Sequence, residues 1–520
     1  MSLSRLSSID TASRWPDHLA AIDIGSNSFR LEIGALSPGR YKRVDYLKET
    51  VRLGAGLDEN GLLTEEAIQR GLACLARFAQ RLTGYSRLQV RAVATQTLRE
   101  ARNRDVFIAR AQPVLGHQIE IVSGREEARL IYAGVARLQP SEARRLVIDI
   151  GGRSTEMILG QGRTPLRAES FRVGSVSLSM RFFPDGRFTE ASFRAAQVAA
   201  GAELEEALVP FAPKHWTEAL GSSGTAGAVS QLLAASGITD GAITPEALRW
   251  CIGQCLKAGR IDRLDLPGLK EDRRAVIGGG VAILYTLATH FGIDLLQPAR
   301  GALRQGVIFD LDERLNASSP SKDGKDNGRS NPDMRDASVR ELQRRFEVDT
   351  EHAKRVSEVA ATLHTALQTS DDPLPARELA WACALHEIGM MVSHHDHHRH
   401  SAYLLSHVDA AGFSQSQQRR LADLVLAQRG GLRKVEPQFE EEAFAWQVLS
   451  LRLAIINCHA RVESDEPALE LHRKGNEAVL TVSEEWAEQN PRTWFLLTEE
   501  TAVWERSGKF RLKLTAATVH

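Results

Sequence analysis

In the stretch Val147–Leu159, VIDIGGRSTEMIL, two carboxylates, Asp149 and Glu156, flank a glycine pair, Gly151-Gly152, that is followed at once by Arg153. Glycines at a chain reversal leave backbone N–H groups exposed, and two or three of them turned the same way make a concavity for phosphate or another anion. A carboxylate at the strand end, here Asp149, can hold a cation against such an anion. The same glycine pair also serves as a plain tight turn, and one copy does not separate these readings.

The elements that must position these groups are legible around them. Val147-Ile148 reads as a buried strand and Met157-Ile158-Leu159 as its return, so the polar residues sit at the tip of a β-hairpin. Near the amino terminus LAAIDIGSNSFRLEIGAL repeats the pattern, Asp23-Ile24-Gly25-Ser26-Asn27-Ser28 against Asp149-Ile150-Gly151-Gly152-Arg153-Ser154. Each copy follows an apolar strand and precedes another, about one domain's length apart. A duplicated α/β lobe, with both tips facing one cleft, is the simplest account.

Between the tips lies IEIVSGREEARLIYAGVARL, where Ser123-Gly124-Arg125-Glu126 is a capping box opening a helix with apolar Ala128, Leu130, Ile131 and Val135 at helical spacing. With Glu126 committed at the third helical position, Glu127 is the carboxylate left over, in a first turn where the helix dipole favours its ionised form. On its own pattern it is an ordinary first-turn acid. Beside phosphate-cradling tips it becomes a base that orients water for in-line attack.

Composition bounds the rest. A chain of 520 residues with 43% hydrophobic residues predicts a soluble protein of three or four domains. A net charge of −1 carries no global signal for a nucleic-acid partner, although basic residues cluster in RAVATQTLREARNRDVFIAR and QRRLADLVLAQRGGLRKV, as solvated helix faces or as binding tracks. Five cysteines show no paired framework, Cys251 and Cys255 share a helical face, and no apolar run reaches membrane-spanning length. A cytoplasmic protein with reduced thiols is expected, peripheral membrane association being left open.

Taken together, AAIDIGSNSFRLEI, ATQTLREA, IVSGREEARLIYAGV, VIDIGGRSTEMIL, ALGSSGTAGAV and GALRQGVIFDL resemble the exopolyphosphatase and guanosine pentaphosphate phosphohydrolase family, within the superfamily of actin, sugar kinases and heat-shock ATPases. The matches run in order from residue 20 to about 312, and weaker similarity continues through LHEIGMMVSHHDHHRHSAYLL. The resemblance favours the long, multi-domain exopolyphosphatase form. It implies an α/β fold with two ribonuclease-H-like lobes, 18–134 and 135–313, a linker at 314–336, an α-helical HD-like domain at 337–465 and a small β-containing domain at 466–520.

The implied activity is removal of terminal phosphate from linear inorganic polyphosphate, using Mg2+, stimulated by K+, in a homodimer. The alternatives are 5′-phosphohydrolysis of guanosine 5′-triphosphate,3′-diphosphate (pppGpp) and non-catalytic sensing of polyphosphate or alarmone. A sugar-kinase-like transferase would need a sugar-binding insertion and an aspartate base, and no such insertion is evident. Carried over motif by motif, Glu127 activates water, Asp149 and Glu156 organise magnesium and the lytic water, and Arg99 in TQTLREA contacts the phosphoryl group. Asp23, Gly25, Ser26, Asn27 and Ser28, with Gly151, Gly152, Arg153, Ser154 and Thr155, supply the phosphate cradle. Ser222, Ser223, Gly224 and Thr225 form a further glycine-rich turn, equally readable as a helix cap.

Arg153 departs from the family pattern, which has a third glycine there. A left-handed conformation at that position would cost on the order of 1 kcal/mol. The arginine then either adds a cation to the polyphosphate path or crowds the cradle. Beyond residue 312, NASSPSKDGKDNGRSNPDMRD reads as a linker, and His386-Glu387 resembles the His-Asp signature of HD phosphohydrolases with glutamate in place of aspartate. With His394, His395, His397, His398 and His400 close behind, a second metal centre competes with a buried histidine network. EAVLTVSEEW, TWFLLTEE and KFRLKLT alternate as half-buried strands do. By the family's example the C-terminal domains lengthen a basic channel, for which Arg419, Arg420, Arg429, Arg433 and Lys434 are candidates.

Overall fold

Strands β1 (His18–Ile24) and β2 (Ser28–Ser37) form the first expected hairpin, with Asp23 paired opposite Arg30. The second, β6 (Arg144–Ile150) and β7 (Thr155–Gln161), pairs Asp149 directly opposite Glu156. With β3 (Arg40–Thr50), β4 (Val90–Ala94) and β5 (Ile119–Ile121) the first sheet runs β3-β2-β1-β4-β5. With β8 (Thr164–Phe171), β9 (Glu218–Ser222) and β10 (Leu296–Pro298) the second runs β8-β7-β6-β9-β10. In each sheet the first three strands of the lobe are antiparallel and the last two join in parallel. The identical order is the duplicated α/β lobe that the repeat predicts, with the ribonuclease-H-like topology that the resemblance implies. Parallel β4, VRAVA, is buried along its whole length, as a strand covered on both faces must be.

This computed structural model describes residues 17–37, 40–318, 333–367, 372–461 and 469–517, and the chain divides into two compact units between Asn331 and Pro332. Within the first unit the lobes are less separable than the expected 134/135 boundary implies, because that boundary falls inside the helix Gly124–Leu138. The helix Leu303–Ser318, expected with the second lobe, packs on β1, β2, β4 and the Gly124 helix. Leu19 and Val93 of the first lobe, Val147 and Leu220 of the second, and Leu130 and Val307 of these two helices share one core. The two helices meet at backbone contact, since a Cβ on Gly306 would collide with the carbonyl oxygen of Leu130. Asp310 then receives Arg91 at 2.7 Å, Arg314 at 2.7 Å and also Arg129. Burial opposes its ionisation, but the three guanidiniums hold it far below the usual carboxylate range.

Of the linker expected at 314–336, both ends are helical. One helix continues to Ser318 and the next, Met334–Arg345, begins at once after Asp333, with 319–332 outside the described residues.

The second unit packs the helices Thr350–Leu367, Leu374–Leu385, Gln415–Ala427 and Glu442–Asn457 around one core. Its sheet is β11 (Glu470–Lys474), β12 (Glu477–Ser483) and β13 (Arg511–Ala517). TWFLLTEE, expected as a strand, lies instead in the helix Pro491–Ser507, where Pro491 opens the first turn and Leu497, Glu500 and Trp504 are buried at helical spacing. Trp504 stacks on Phe510 at 4.3 Å and Phe510 on Trp446 at 4.4 Å, so sheet and helices share a core instead of forming separate domains. Arg420, a channel candidate, is committed to Glu378 and Glu441 and ties helices together. The five cysteines are free and buried, and no described helix is long and apolar enough to cross a membrane.

Candidate active site

The two hairpin tips meet. A Cβ on Gly152 would come within 3.1 Å of the Ser26 Cβ and 3.2 Å of Val176, so close approach and not its backbone angles favours the second glycine. The tip is pinned from below, because the N–H groups of Ser175 and Val176, opening the helix Ser175–Phe182, donate to the carbonyls of Gly151 and Gly152 at 2.9 and 2.8 Å. Within the first lobe Thr97 donates to Ser26 Oγ at 2.8 Å. The cavity so formed, about 80 Å³, is lined by Asp23, Gly25, Ser26, Asn27 and Ser28 of the first tip and Asp149, Gly151, Gly152 and Ser154 of the second. Glu127 enters from the Gly124 helix, and Ser223, Gly224 and Thr225 from the start of the helix Ser223–Ala235. A helix amino terminus facing this space favours an anion. Thr225 Oγ1 donates to the Ile150 carbonyl at 2.8 Å, and Ser223 is held at φ 64°, a strained left-handed conformation at the cavity wall.

Three carboxylates are buried together. Burial raises Glu127 above the ordinary glutamate range against the pull of Arg99, and it raises Asp149 as well. Glu156, 1% exposed, is pushed up furthest, first by burial and then by the charges of Glu127 and Asp149. Arg99 Nη1 donates to Glu127 Oε2 at 2.7 Å and to the Val122 carbonyl at 3.0 Å, while Gln96 fixes the other side of the guanidinium. Ser123 caps the helix through the Glu126 N–H as expected, and the Glu126 carboxylate itself takes a two-point contact from Arg129.

Five of the residues carried over from the family do not line the cavity. Arg99 stands behind Glu127, and Glu156 accepts from Ser170 Oγ at 2.9 Å, one strand back from Asp149. Thr155 Oγ1 donates to the Val173 carbonyl at 2.6 Å and Ser222 Oγ to the Gly301 carbonyl at 3.1 Å, both as structural anchors. Arg153 is neither left-handed nor in the cavity. Its Nε donates to Glu100 at 2.8 Å and its Nη1 to the Gly54 carbonyl at 3.3 Å, tying the second tip to the first lobe. The expected clamp and the expected obstruction both give way to a tie between lobes.

Sequence reasoning missed three arginines, Arg30, Arg273 and Arg304, that line the cavity, with Arg30 and Arg304 standing 3.8 and 3.7 Å from Asp23. Arg30 had a signal, because it occupies in the first hairpin the register position that Glu156 holds in the second. Arg304 sits in the quoted GALRQG, while Arg273 has no local pattern. Arg304 is fixed by Glu32 at 3.1 Å, yet its Nη1 and the Nε of Arg30 are buried with no hydrogen-bond partner. Burial and the nearby Arg30 hold Arg273 below its ordinary value. The three open onto a second cavity of about 400 Å³ that adds Arg43, Tyr46, Lys48, Lys270 and Arg300. The arrangement is a small carboxylate-and-amide pocket joined through arginines to a larger basic one.

Residues 33–315 match the Ppx/GppA phosphatase family, and residues 334–501 match Ppx/GppA phosphatase, domain III. A guanosine-5'-triphosphate,3'-diphosphate pyrophosphatase of Pseudoalteromonas atlantica is 36% identical over 487 residues, 92% of this chain and 93% of that protein. Its namesake in Vibrio cholerae is 34% identical over 479 residues, 91% and 93% of the two chains. Among solved structures, an exopolyphosphatase from Cytophaga hutchinsonii superposes with a TM-score of 0.52 at 25% identity, covering 57% of this chain and 98% of its own. With the duplicated lobes, the paired tips and these matches in place, the chain belongs to the Ppx/GppA phosphatase family.

Proposed function

We propose that the protein hydrolyses the terminal 5′ phosphoanhydride of pppGpp, releasing phosphate. The observation that carries this reading is the pair of adjoining anion pockets of unequal size that share Arg30, Arg273 and Arg304. A nucleoside with a triphosphate on one side of the ribose and a diphosphate on the other needs two anion sites a short distance apart. A polar chemistry pocket beside a wider basic one supplies them. The relatives matched over nine-tenths of the chain carry the pppGpp pyrophosphatase name.

In this reading the 5′ terminal phosphoryl group sits between the tips, held by backbone N–H groups and by Arg30 and Arg304. Arg99 keeps Oε2 of Glu127, leaving Oε1 for a water molecule in line with the phosphoanhydride. The raised pKa of Glu127 makes it a stronger base than a solvated glutamate. The hydroxyls and carboxylates facing the cavity are an all-oxygen donor set, and among the described residues they do not form a closed group of three ligands. That suits Mg2+, which takes one or two carboxylates together with phosphate oxygens and water. Asp149 and Asp23 would hold it, and it would neutralise charge developing on the phosphoryl oxygens.

Exopolyphosphatase activity, the first expectation from sequence, is the second reading. The Cytophaga neighbour carries that name, and a linear polyanion also suits a line of arginines. The two separate at the outer pocket. Replacing Arg43 and Lys48 with alanine should lower kcat/KM for pppGpp by about tenfold or more, in line with losing charge-assisted contacts, while GTP hydrolysis changes little. An equal effect on both nucleotides would remove the outer pocket from substrate recognition.

A further inference from the structure

We infer that the second unit holds a site for a divalent transition metal such as Zn2+, formed by His352, His386 and Glu387 and separate in chemistry from the phosphate site. His352 lies in the first turn of the helix Thr350–Leu367, and His386 and Glu387 directly follow the helix Leu374–Leu385. One ligand atom from each lies within 4.8 Å of the other two, and all three residues are buried. The Nε2 atoms of both histidines stand 3.9 Å from Glu387 Oε1. A tetrahedral zinc with bonds of about 2.0–2.2 Å needs ligand atoms about 3.4 Å apart. The two sides that meet at Glu387 Oε1 therefore shorten by about half an ångström to reach that spacing.

The tautomer is set for this role. His386 Nδ1 is 2.7 Å from the carbonyl oxygen of Cys383, which can only accept, so the proton sits on Nδ1 and the lone pair on Nε2. That Nε2 is buried in a residue 1% exposed and has no hydrogen-bond partner. A carbonyl fixing one ring nitrogen while the other is left open toward a neighbouring imidazole and carboxylate is the arrangement of a metal-ligating histidine. Two imidazoles and one carboxylate make a borderline donor set that selects zinc and its neighbours over magnesium. Three protein ligands leave a fourth position for water.

Arg461 bears directly on the site. Its guanidinium contacts Glu387 Oε1 and also Asp349 Oδ2 at 3.1 Å, from a residue held at φ 57°. It places a positive charge where the metal's would fall, and so acts as the intramolecular competitor of the cation. The neighbouring histidine run is not part of the ligand set, and His395 is 94% exposed.

The test uses the full chain with His394, His395 and His400 replaced by asparagine, titrated with Zn2+ alone in excess Mg2+ and followed by calorimetry and zinc X-ray absorption. We expect one Zn2+ per chain with two imidazoles in its shell. Glu387→Gln should weaken it about tenfold or more, and Arg461→Gln should tighten it by a similar factor. Uptake lost with the three surface histidines, or an affinity unmoved by Glu387→Gln and Arg461→Gln, would overturn the site. The gain expected from Arg461→Gln distinguishes a metal site from a variant that merely misfolds.

Discussion

At the scale of single residues, Glu156 carries its carboxyl in surroundings that oppose its charge. It is buried opposite Asp149 and near Glu127, and these surroundings raise its pKa well above the ordinary value. A carboxyl raised in the folded state binds its proton more tightly there than in the unfolded chain. Its contribution is therefore fully present below the unfolded pKa and is lost as pH rises through the folded one. At pH 7.5, above the unfolded value, the raised carboxyl therefore works against folding. Glu156→Gln should raise the melting temperature by about 2–4 °C at pH 7.5, the gain shrinking toward about pH 4, while phosphate release falls. Calorimetric scans at the two pH values check this, and a lower melting temperature at pH 7.5 would show that the carboxylate is compensated within the protein. Asp149 and Glu127 were legible in sequence because each sits in a short motif with its own turn or cap. Arg30, Arg273 and Arg304 converge from three distant places in the chain, and no local period marks such a meeting.

Among elements, the hairpins were readable because strand alternation and turn glycines act within a few residues. What sequence could not show is that the two tips pack on each other, with Gly152 against Ser26 and Arg153 across to Glu100 and Gly54. Arg153 and Glu100 are part-exposed, at 23% and 27% for their side chains, so solvent discounts the ion pair. Arg153→Gly should cost at most about 1 kcal/mol of stability and leave kcat within a few-fold, with no tighter product binding. Urea unfolding beside steady-state kinetics would show this, and a collapse of kcat with unchanged stability would return Arg153 to direct phosphate contact. TWFLLTEE was misread because a short apolar run fits both periods. Pro491 at its start and the burial of Trp504 beyond it decide for helix.

For the whole molecule, the repeat predicted two lobes, and the structure adds how they are joined. The helix Leu303–Ser318 returns to the first lobe and binds it through Asp310, so a boundary drawn along the chain cuts through shared packing. Substrate choice belongs to this scale, because both candidate substrates carry a terminal phosphoanhydride, and the proposed reading assigns their discrimination to the wider basic pocket beside the tips. The most direct measurement is the initial rate of phosphate release from pppGpp and from long-chain polyphosphate, at equal terminal-phosphate concentration with Mg2+, for the wild type and Glu127→Gln. The account predicts a kcat/KM for pppGpp higher by about tenfold or more, with turnover lost and nucleotide binding kept in Glu127→Gln. Faster release from the polymer, or release that survives Glu127→Gln, would contradict it.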